Sequence, residues 1–230
     1  MNWNILRFFR RNKELPIIPK PLDKEYNKIF GIGYPKTGTT SLAVALRGLG
    51  FNTFHDASLI FPKVFIDGDF SICKNQDWDA YCNRYQTYFI NMDEQYPNSK
   101  FILTTRNPGQ WHMSLSKSIG DIKPNFLNKY DLNTFSELMK TSDNSPEHFE
   151  DVLDCIATFG FLSLHHKRQI RRFNEHNDKV QEYFKDKKDQ LLVLPLESNG
   201  KYQQICDFLG QPLPNMKYPH EKFVSKRYIS

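Results

Sequence analysis

The chain lacks any apolar run long enough to cross a membrane as a helix. Its first residues, "MNWNILRFFRRNKELPIIPK", place the basic residues after a few apolar ones, which is not the pattern of a secretory leader. Cysteine is scarce: Cys73, Cys82, Cys155 and Cys206 form no pair at metal-ligand spacing. We therefore expect reduced thiols and a cytoplasmic protein with no stable membrane insertion.

The chain also lacks a strong excess of charge of one sign. It has 31 Lys and Arg against 26 Asp and Glu, a formal net charge of +5. No RNA- or DNA-binding signature accompanies this modest excess, so we expect no nucleic acid partner, and a small anionic ligand is sufficient to explain it. A length of 230 residues suffices for one domain with its own core.

Short apolar runs alternate with helical patterns along the sequence. The predicted strands are "NKIFGIG", "FNTFHD", "KFILTTR" and "LLVLPLE". The predicted helices are "TTSLAVALRGLG", "DAYCNRYQTYFINMDEQYP", "NPGQWHMSLSKSI", a long segment ending in "EHNDKVQEYFKDK", and "KYQQICDFLG". This alternation predicts an α/β fold with a central, mainly parallel sheet and helices on both faces.

We divide the chain into a basic N-terminal extension, residues 1–27, and one domain, residues 28–230. Within the domain, residues of about 115–150 are rich in Asn, Asp, Ser, Lys and Pro. This composition predicts a helical insertion, which we interpret as a lid or an acceptor-side segment. The extension either packs on the domain or binds weakly to an anionic surface.

A glycine-containing loop follows the first predicted strand. From Gly33 the sequence "GYPKTGTT" has the spacing of the phosphate-binding loop G-x-x-x-x-G-K-[ST], but Thr39 stands where the lysine is expected. Lys36 comes three residues earlier. Because the loop leads into a helix, backbone N–H groups of residues 37–40 and the positive end of the helix can bind a phosphate group. Gly38 allows the close approach of the backbone that such binding needs.

A second anion site is predicted after "FILTTR". That strand ends in Arg106 rather than in the acidic residue that would help to hold magnesium in a nucleoside-triphosphate hydrolase. Asp56 and Glu197 are acidic and near strand ends, so a metal site there stays open. The natural partner of Arg106 is a second anion, and Ser114, eight residues later, lies on the same helix face as Trp111.

These two motifs resemble those of sulfotransferases that use 3′-phosphoadenosine 5′-phosphosulfate (PAPS). "YPKTGTTS" resembles their 5′-phosphosulfate loop, and "RNPGQWHMS" resembles their 3′-phosphate motif. The stretches "YPNSKFILTTRNPGQW", "EHNDKVQEYF", "LLVLPLE" and "CDFLGQPLPNMKYPH" are similar to a sulfotransferase-like group of unassigned acceptor. The resemblance spans roughly residues 28–220.

The resemblance implies a P-loop-type three-layer sandwich and sulfuryl transfer from PAPS. The acceptor would be a hydroxyl or amine on a small molecule or glycan, the product adenosine 3′,5′-bisphosphate, and no metal would be required. Lys36 would neutralise the leaving phosphate, and Arg106 and Ser114 would hold the 3′-phosphate. The 5′-phosphosulfate would be cradled by Thr37, Gly38, Thr39, Thr40 and Ser41.

The sequence departs from the cytosolic sulfotransferases at two places. "HEKFVSKRYIS" lacks their C-terminal basic–glycine motif, and "SICKNQDWDAY" lacks their histidine shortly after a lysine. Asp77, three residues after Lys74, is similar to the acidic residue of the unassigned group and is one candidate base; a helix cap is the alternative role. His55, at the end of the second predicted strand, is the other candidate base, and its alternative role is a polar residue at a strand end.

Two other functions stay open at this point. One is an ATP-using P-loop phosphotransferase or kinase, which predicts magnesium dependence. The other is a non-catalytic nucleotide-binding interaction protein, which predicts binding without turnover. The acceptor and the oligomeric state are not encoded in any pattern that we can interpret.

Overall fold

The computed structural model describes residues 26–55, 70–73, 78–82, 86–122 and 166–220. Its strands are β1 (Ile29–Gly31), β2 (Thr53–Phe54), β3 (Ala80–Cys82), β4 (Lys100–Thr105) and β5 (Leu191–Pro195). Its α-helices are α1 (Thr39–Gly48), α2 (Phe89–Gln95), α3 (Pro108–Ile122), α4 (His166–Tyr183) and α5 (Lys201–Leu209), with short 3-10 turns at Phe70–Cys73 and Gln86–Tyr88.

The five strands form one parallel sheet in the order β2-β3-β1-β4-β5. Each of the four strand pairs is parallel, and Ile29 of β1 lies in register with Ala80 on one side and Lys100 on the other. Parallel strands need crossover connections, which place helices on the faces of the sheet. The predicted α/β fold with a parallel sheet is therefore confirmed.

Two hydrophobic cores make the fold a three-layer sandwich. Successive residues of a strand point to opposite faces, so Ile29 packs in the core that holds α1 and α5, whereas Phe30 packs in the core with α2 and the end of α4. The same alternation separates Ile102 from Phe101 and Leu103 in β4. Both faces of the sheet are thus covered, as the near-continuous apolar strands require.

The predicted helix "DAYCNRYQTYFINMDEQYP" is wrong in its first part. Ala80–Cys82 forms strand β3, and the α-helix begins only at Phe89 after a 3-10 turn. All three strand residues are buried, because β3 lies between β1 and β2 and faces both cores. The aromatic spacing fits a helix equally well, so periodicity alone could not separate the two interpretations.

The connections after β1 and β4 leave the sheet in opposite directions. Helix α1 follows β1 and packs in one core, whereas α3 follows β4 and packs against α4 on the other side through Trp111 and Phe173, whose rings stack at 4.3 Å. Because β1 and β4 are neighbours, a crevice opens between the two connections at the carboxyl ends of the strands. Ligands of open α/β sheets bind at such a switch point.

The domain boundaries can be compared with the structure only in part. Tyr26 is already buried in the core with Ile29, although the predicted extension runs through residue 27. In the predicted insertion, α3 continues as helix to Ile122, and residues 123–150 lie outside the described part. Among the helices that the structure describes, none is long and apolar enough to cross a membrane.

Candidate functional site

The loop between β1 and α1 runs directly against β4. A Cβ on Gly33 would collide with the hydroxyl and the backbone carbonyl of Thr104 and would lie 2.8 Å from Thr37 Oγ1. The collision with backbone could not be relieved by a rotamer change, so glycine is required at this position. The glycine therefore lets the loop pass directly against the end of β4.

Gly38 leaves the start of α1 without a side-chain cap. It is the N-cap residue, has φ of 100°, and no side-chain hydrogen bond caps the helix. The first amides of a helix have no intrahelical partner. The N–H groups at the start of α1, with the positive end of the helix dipole, are therefore the part of the loop to which an anion can bind.

The start of α3 has the opposite character. The side chain of Asn107 accepts hydrogen bonds from the amides of Gly109 and Gln110, both at 3.1 Å, and the helix begins at Pro108. Asn107 is thus the N-cap residue of α3, and Pro108 is the first residue of the helix. These amides already have an acceptor. Helix α3 can therefore contact a ligand through side chains but not through the amides at its start.

Thr37 holds the loop instead of offering its hydroxyl to a ligand. Its Oγ1 donates to the carbonyl of Tyr34 at 2.6 Å and lies 2.6 Å from the hydroxyl of Thr104. Since the Thr37 hydroxyl has one hydrogen, Thr104 is the donor of the second bond. Thr37 would therefore contribute to the cradle by fixing the shape of the loop.

Arg106 joins the two predicted anion sites. Its Nη1 donates to the carbonyl of Lys36 at 3.4 Å, so the end of β4 and the loop are in contact. Its Nε is buried and has no hydrogen-bond partner among the described residues. An unpaired buried donor is costly, and an anion in the crevice would remove that cost.

Lys36 lies at this crevice, and Ser114 is on the helix that follows Arg106. Lys36 is half-buried and has φ of 71°, in the left-handed region that residues with a side chain seldom adopt. Ser114 is half-buried on α3, three residues after Trp111 and therefore on a similar side of the helix. Of the remaining predicted loop residues, Ser41 is buried and Thr40 half-buried in the first turn of α1.

The two candidate bases differ in what the structure places around them. His55 follows β2 directly and lies at the same edge of the sheet as the loop, two strands from β1, or about 10 Å at ordinary strand spacing. Asp77 and Lys74 lie outside the described residues. The next residue, Trp78, precedes β3, and its carbonyl accepts from the ammonium of Lys28, which precedes β1, at 2.6 Å. The described residues next to Asp77 thus lie at the opposite edge of the sheet.

The acidic residues considered for a metal have other surroundings. Glu197 is exposed and accepts from the backbone amide of Asn107 at 3.4 Å. Asp56 lies outside the described residues. Within the part of the chain that the structure describes, no three His, Cys, Asp or Glu side chains are grouped as metal ligands.

His176 is a site residue that the sequence analysis missed. Its Nε2 lies 2.9 Å from the carbonyl of Ile32, so it is the donor, and its ring stacks on Tyr34 at 4.4 Å. Burial lowers the pKa of His176 to about 4, which keeps the ring neutral. The signal was available: His176 lies three residues after Phe173 and four before Val180, and all three are buried on one face of α4.

Comparisons with known proteins assign the chain to a family. The sequence profile of the family described as "Sulfotransferase domain" matches residues 28–225. The chain is also similar to "Ava biosynthesis cluster protein M" of Aspergillus versicolor, at 25% identity over 223 residues, covering 84% of this chain and 80% of that protein. The chain therefore belongs to the sulfotransferase-domain family.

We predict that His176 makes the stability of the fold depend on pH. Its pKa is about 4 in the folded protein and about 6.5 in the unfolded chain. The unfolded state therefore binds more protons between these values, and stability falls as pH decreases from 6.5 to 4, by roughly 3 kcal/mol in total. Urea unfolding at several pH values measures this loss.

The His176→Gln variant should lose this part of the pH dependence, because glutamine does not titrate. His220→Gln is the matched control, since it makes the same substitution at an exposed histidine. An equal slope for wild type and His176→Gln between pH 6.5 and 4 would contradict the assignment.

Proposed function

We propose that the protein transfers a sulfuryl group from PAPS to a hydroxyl or amine acceptor and releases adenosine 3′,5′-bisphosphate. The observation that carries this proposal is the position of Arg106. Its Nη1 donates to the loop at the carbonyl of Lys36, while its buried Nε has no hydrogen-bond partner among the described residues. A ligand with one anionic group at the loop and a second at Arg106 matches this arrangement, and family membership supports the choice of donor.

The residues present fit such a donor. The uncapped start of α1 offers amides to a 5′-phosphosulfate, and Gly38 allows the backbone to approach it. Arg106, with Ser114 on the following helix, would hold the 3′-phosphate through charge-assisted hydrogen bonds. When bound, PAPS supplies the activated sulfuryl group, and the protein contributes mainly positioning and charge stabilisation.

Lys36 would act on the leaving group. In the transfer, the bond between sulfur and the bridging phosphate oxygen breaks, and a bond from the acceptor oxygen or nitrogen to sulfur forms. Negative charge develops on the 5′-phosphate as the first bond breaks. The ammonium of Lys36 and the amides at the start of α1 would stabilise that charge.

We predict that Lys36→Met lowers turnover far more than it weakens product binding. The substitution removes the ammonium but keeps most of the stem, and the developing charge exists mainly in the transition state. We expect kcat to fall at least about a hundredfold, while Kd for the bisphosphate changes less than about tenfold. Release of the bisphosphate from PAPS with a panel of phenols, alcohols and amines measures the first quantity, and calorimetry the second.

Lys188→Met serves as the control for the loss of one positive charge, because Lys188 is exposed. Equal losses of turnover and binding in Lys36→Met would mean that the lysine only binds the nucleotide. If wild type binds the bisphosphate but releases none from PAPS with any acceptor, the non-catalytic nucleotide-binding function replaces the enzyme.

His55 is our first choice for the group that accepts the acceptor's proton. It lies at the loop edge of the sheet, whereas the described neighbours of Asp77 lie at the other edge. We predict that His55→Asn lowers turnover by about 10²-fold or more and leaves bisphosphate affinity unchanged. Parallel kinetics of Asp77→Asn decide between the two: a slow Asp77→Asn and an unaffected His55→Asn would reverse the choice.

Calorimetry on Arg106 tests the donor itself. Wild type should bind adenosine 3′,5′-bisphosphate more tightly than adenosine 5′-monophosphate, because Arg106 pairs with the 3′-phosphate. Arg106→Ala should erase this preference, a loss of about 1.5–3 kcal/mol for a charged hydrogen bond. An unchanged preference would contradict the 3′-phosphate assignment.

Two comparisons complete that experiment. Arg172→Ala removes a positive charge on the exposed part of α4, beside Glu175, and should keep the wild-type preference. Titration with ATP and magnesium tests the phosphotransferase alternative, in which ATP would bind and the bisphosphate would not. The loop favours binding of the bisphosphate over ATP, because Thr39 replaces the lysine that ATP-binding loops carry.

A further inference from the structure

The indole of Trp111 reaches across the crevice to the phosphate-binding loop. Its Nε1 donates to the carbonyl of Pro35 at 2.9 Å, although the residues are 76 positions apart. The peptide bond is a rigid plane that contains both the carbonyl of one residue and the N–H of the next. The bond from Trp111 therefore fixes the plane between Pro35 and Lys36.

Arg106 fixes the plane on the other side of the same residue. The carbonyl of Lys36, which accepts from Arg106 Nη1 at 3.4 Å, belongs to the plane between Lys36 and Thr37. The two planes that flank Lys36 together define its φ and ψ. Both are thus held by side chains from one short segment at the start of α3.

Lys36 needs this support because its backbone conformation is unfavourable. Its φ of 71° lies in the left-handed region, which costs a residue with a Cβ about 1–2 kcal/mol. Such a conformation persists only where surrounding contacts determine it. The direction of the Lys36 Cα–Cβ bond, and so the reach of its ammonium, depends on these two hydrogen bonds.

Trp111 is itself held rigidly. Its side chain is fully buried, stacks on Phe173 at 4.3 Å with an angle of 17° between the rings, and lies 6.1 Å from the ring of Tyr34. Its backbone amide donates to the carbonyl of Asn107 in the first turn of α3. The packing of α3 against α4 therefore fixes the position of the indole N–H. The carbonyl of Pro35 in the loop aligns with this donor.

We propose that Trp111 is a positioning residue for catalysis, which holds the Pro35–Lys36 peptide so that the Lys36 ammonium points at the leaving phosphate. The inference rests on the proposed function for the role of Lys36. It also makes a claim about the free protein, namely that the indole N–H determines the order of the loop.

The Trp111→Phe variant tests the proposal, because phenylalanine keeps an aromatic ring against Phe173 but has no N–H. Tyr81→Phe is the matched control: it removes one buried donor to a backbone carbonyl, that of Cys73 at 3.2 Å, away from the loop. Trp111→Phe should lose more stability than Tyr81→Phe in urea unfolding, since it removes part of a fully buried ring as well as one hydrogen bond.

Hydrogen–deuterium exchange is the readout that does not depend on turnover. We expect Trp111→Phe to raise exchange of the backbone amides of residues 36–41 by about tenfold, the equivalent of one net hydrogen bond. Tyr81→Phe should leave these amides at the wild-type rate. Equal exchange in wild type and Trp111→Phe would overturn the proposal, whether or not the protein proves to be a sulfotransferase.

Kinetics with PAPS and the acceptor panel provide the second readout. A displaced lysine should lower kcat by about tenfold to a hundredfold, with Kd for the bisphosphate within about threefold of wild type. Two results would mean that Trp111 acts only as a core residue. One is an equal loss of kcat and bisphosphate affinity in Trp111→Phe, and the other is a loss of kcat no larger than that of Tyr81→Phe. Absence of turnover in wild type contradicts the proposed function alone, and exchange then decides the role of Trp111 in the loop.

Discussion

The site depends on the adjacency of β1 and β4 in a parallel sheet. Because these neighbouring strands end at the same edge and their helices pack on opposite faces, the loop after β1 and the arginine after β4 share one crevice. The loop and β4 are so close at Gly33 that Thr104 occupies the space that a Cβ would need. A change of strand order would leave both motifs intact in sequence and would separate them in space.

The loop is shaped from outside by hydrogen bonds to its carbonyls. Four side chains take part, from the residue after β4, from α3, from α4 and from the loop itself. Arg106, Trp111, His176 and Thr37 donate to the carbonyls of residues 36, 35, 32 and 34. With its carbonyls occupied in this way and no side chain on α1 as a cap, the amides at the helix start are left for an anion. A site built from oriented dipoles needs little reorganisation when charge develops.

The sequence predicted the fold class and most elements, and it failed at particular places for physical reasons. In the strand Ala80–Cys82, apolar and polar residues do not alternate, so its pattern does not distinguish a strand from part of a helix. This strand also places Trp78 at the edge of the sheet away from the loop. His176 was overlooked because a histidine on an amphipathic helix has no signature of its own, and only the contact with Ile32 gives it a role.

The order of residues by itself determined which chemical groups are available: a loop with a displaced lysine, an arginine in place of an acidic residue after the fourth strand, and glycines where the backbone must turn. These properties are local, since they follow from residue type and spacing along a few positions. Only the tertiary structure decided which of these groups meet. Trp111 and Pro35 are 76 positions apart and Ile32 and His176 are 144 apart, and contacts at such separations depend on strand order and helix packing, which no short pattern encodes.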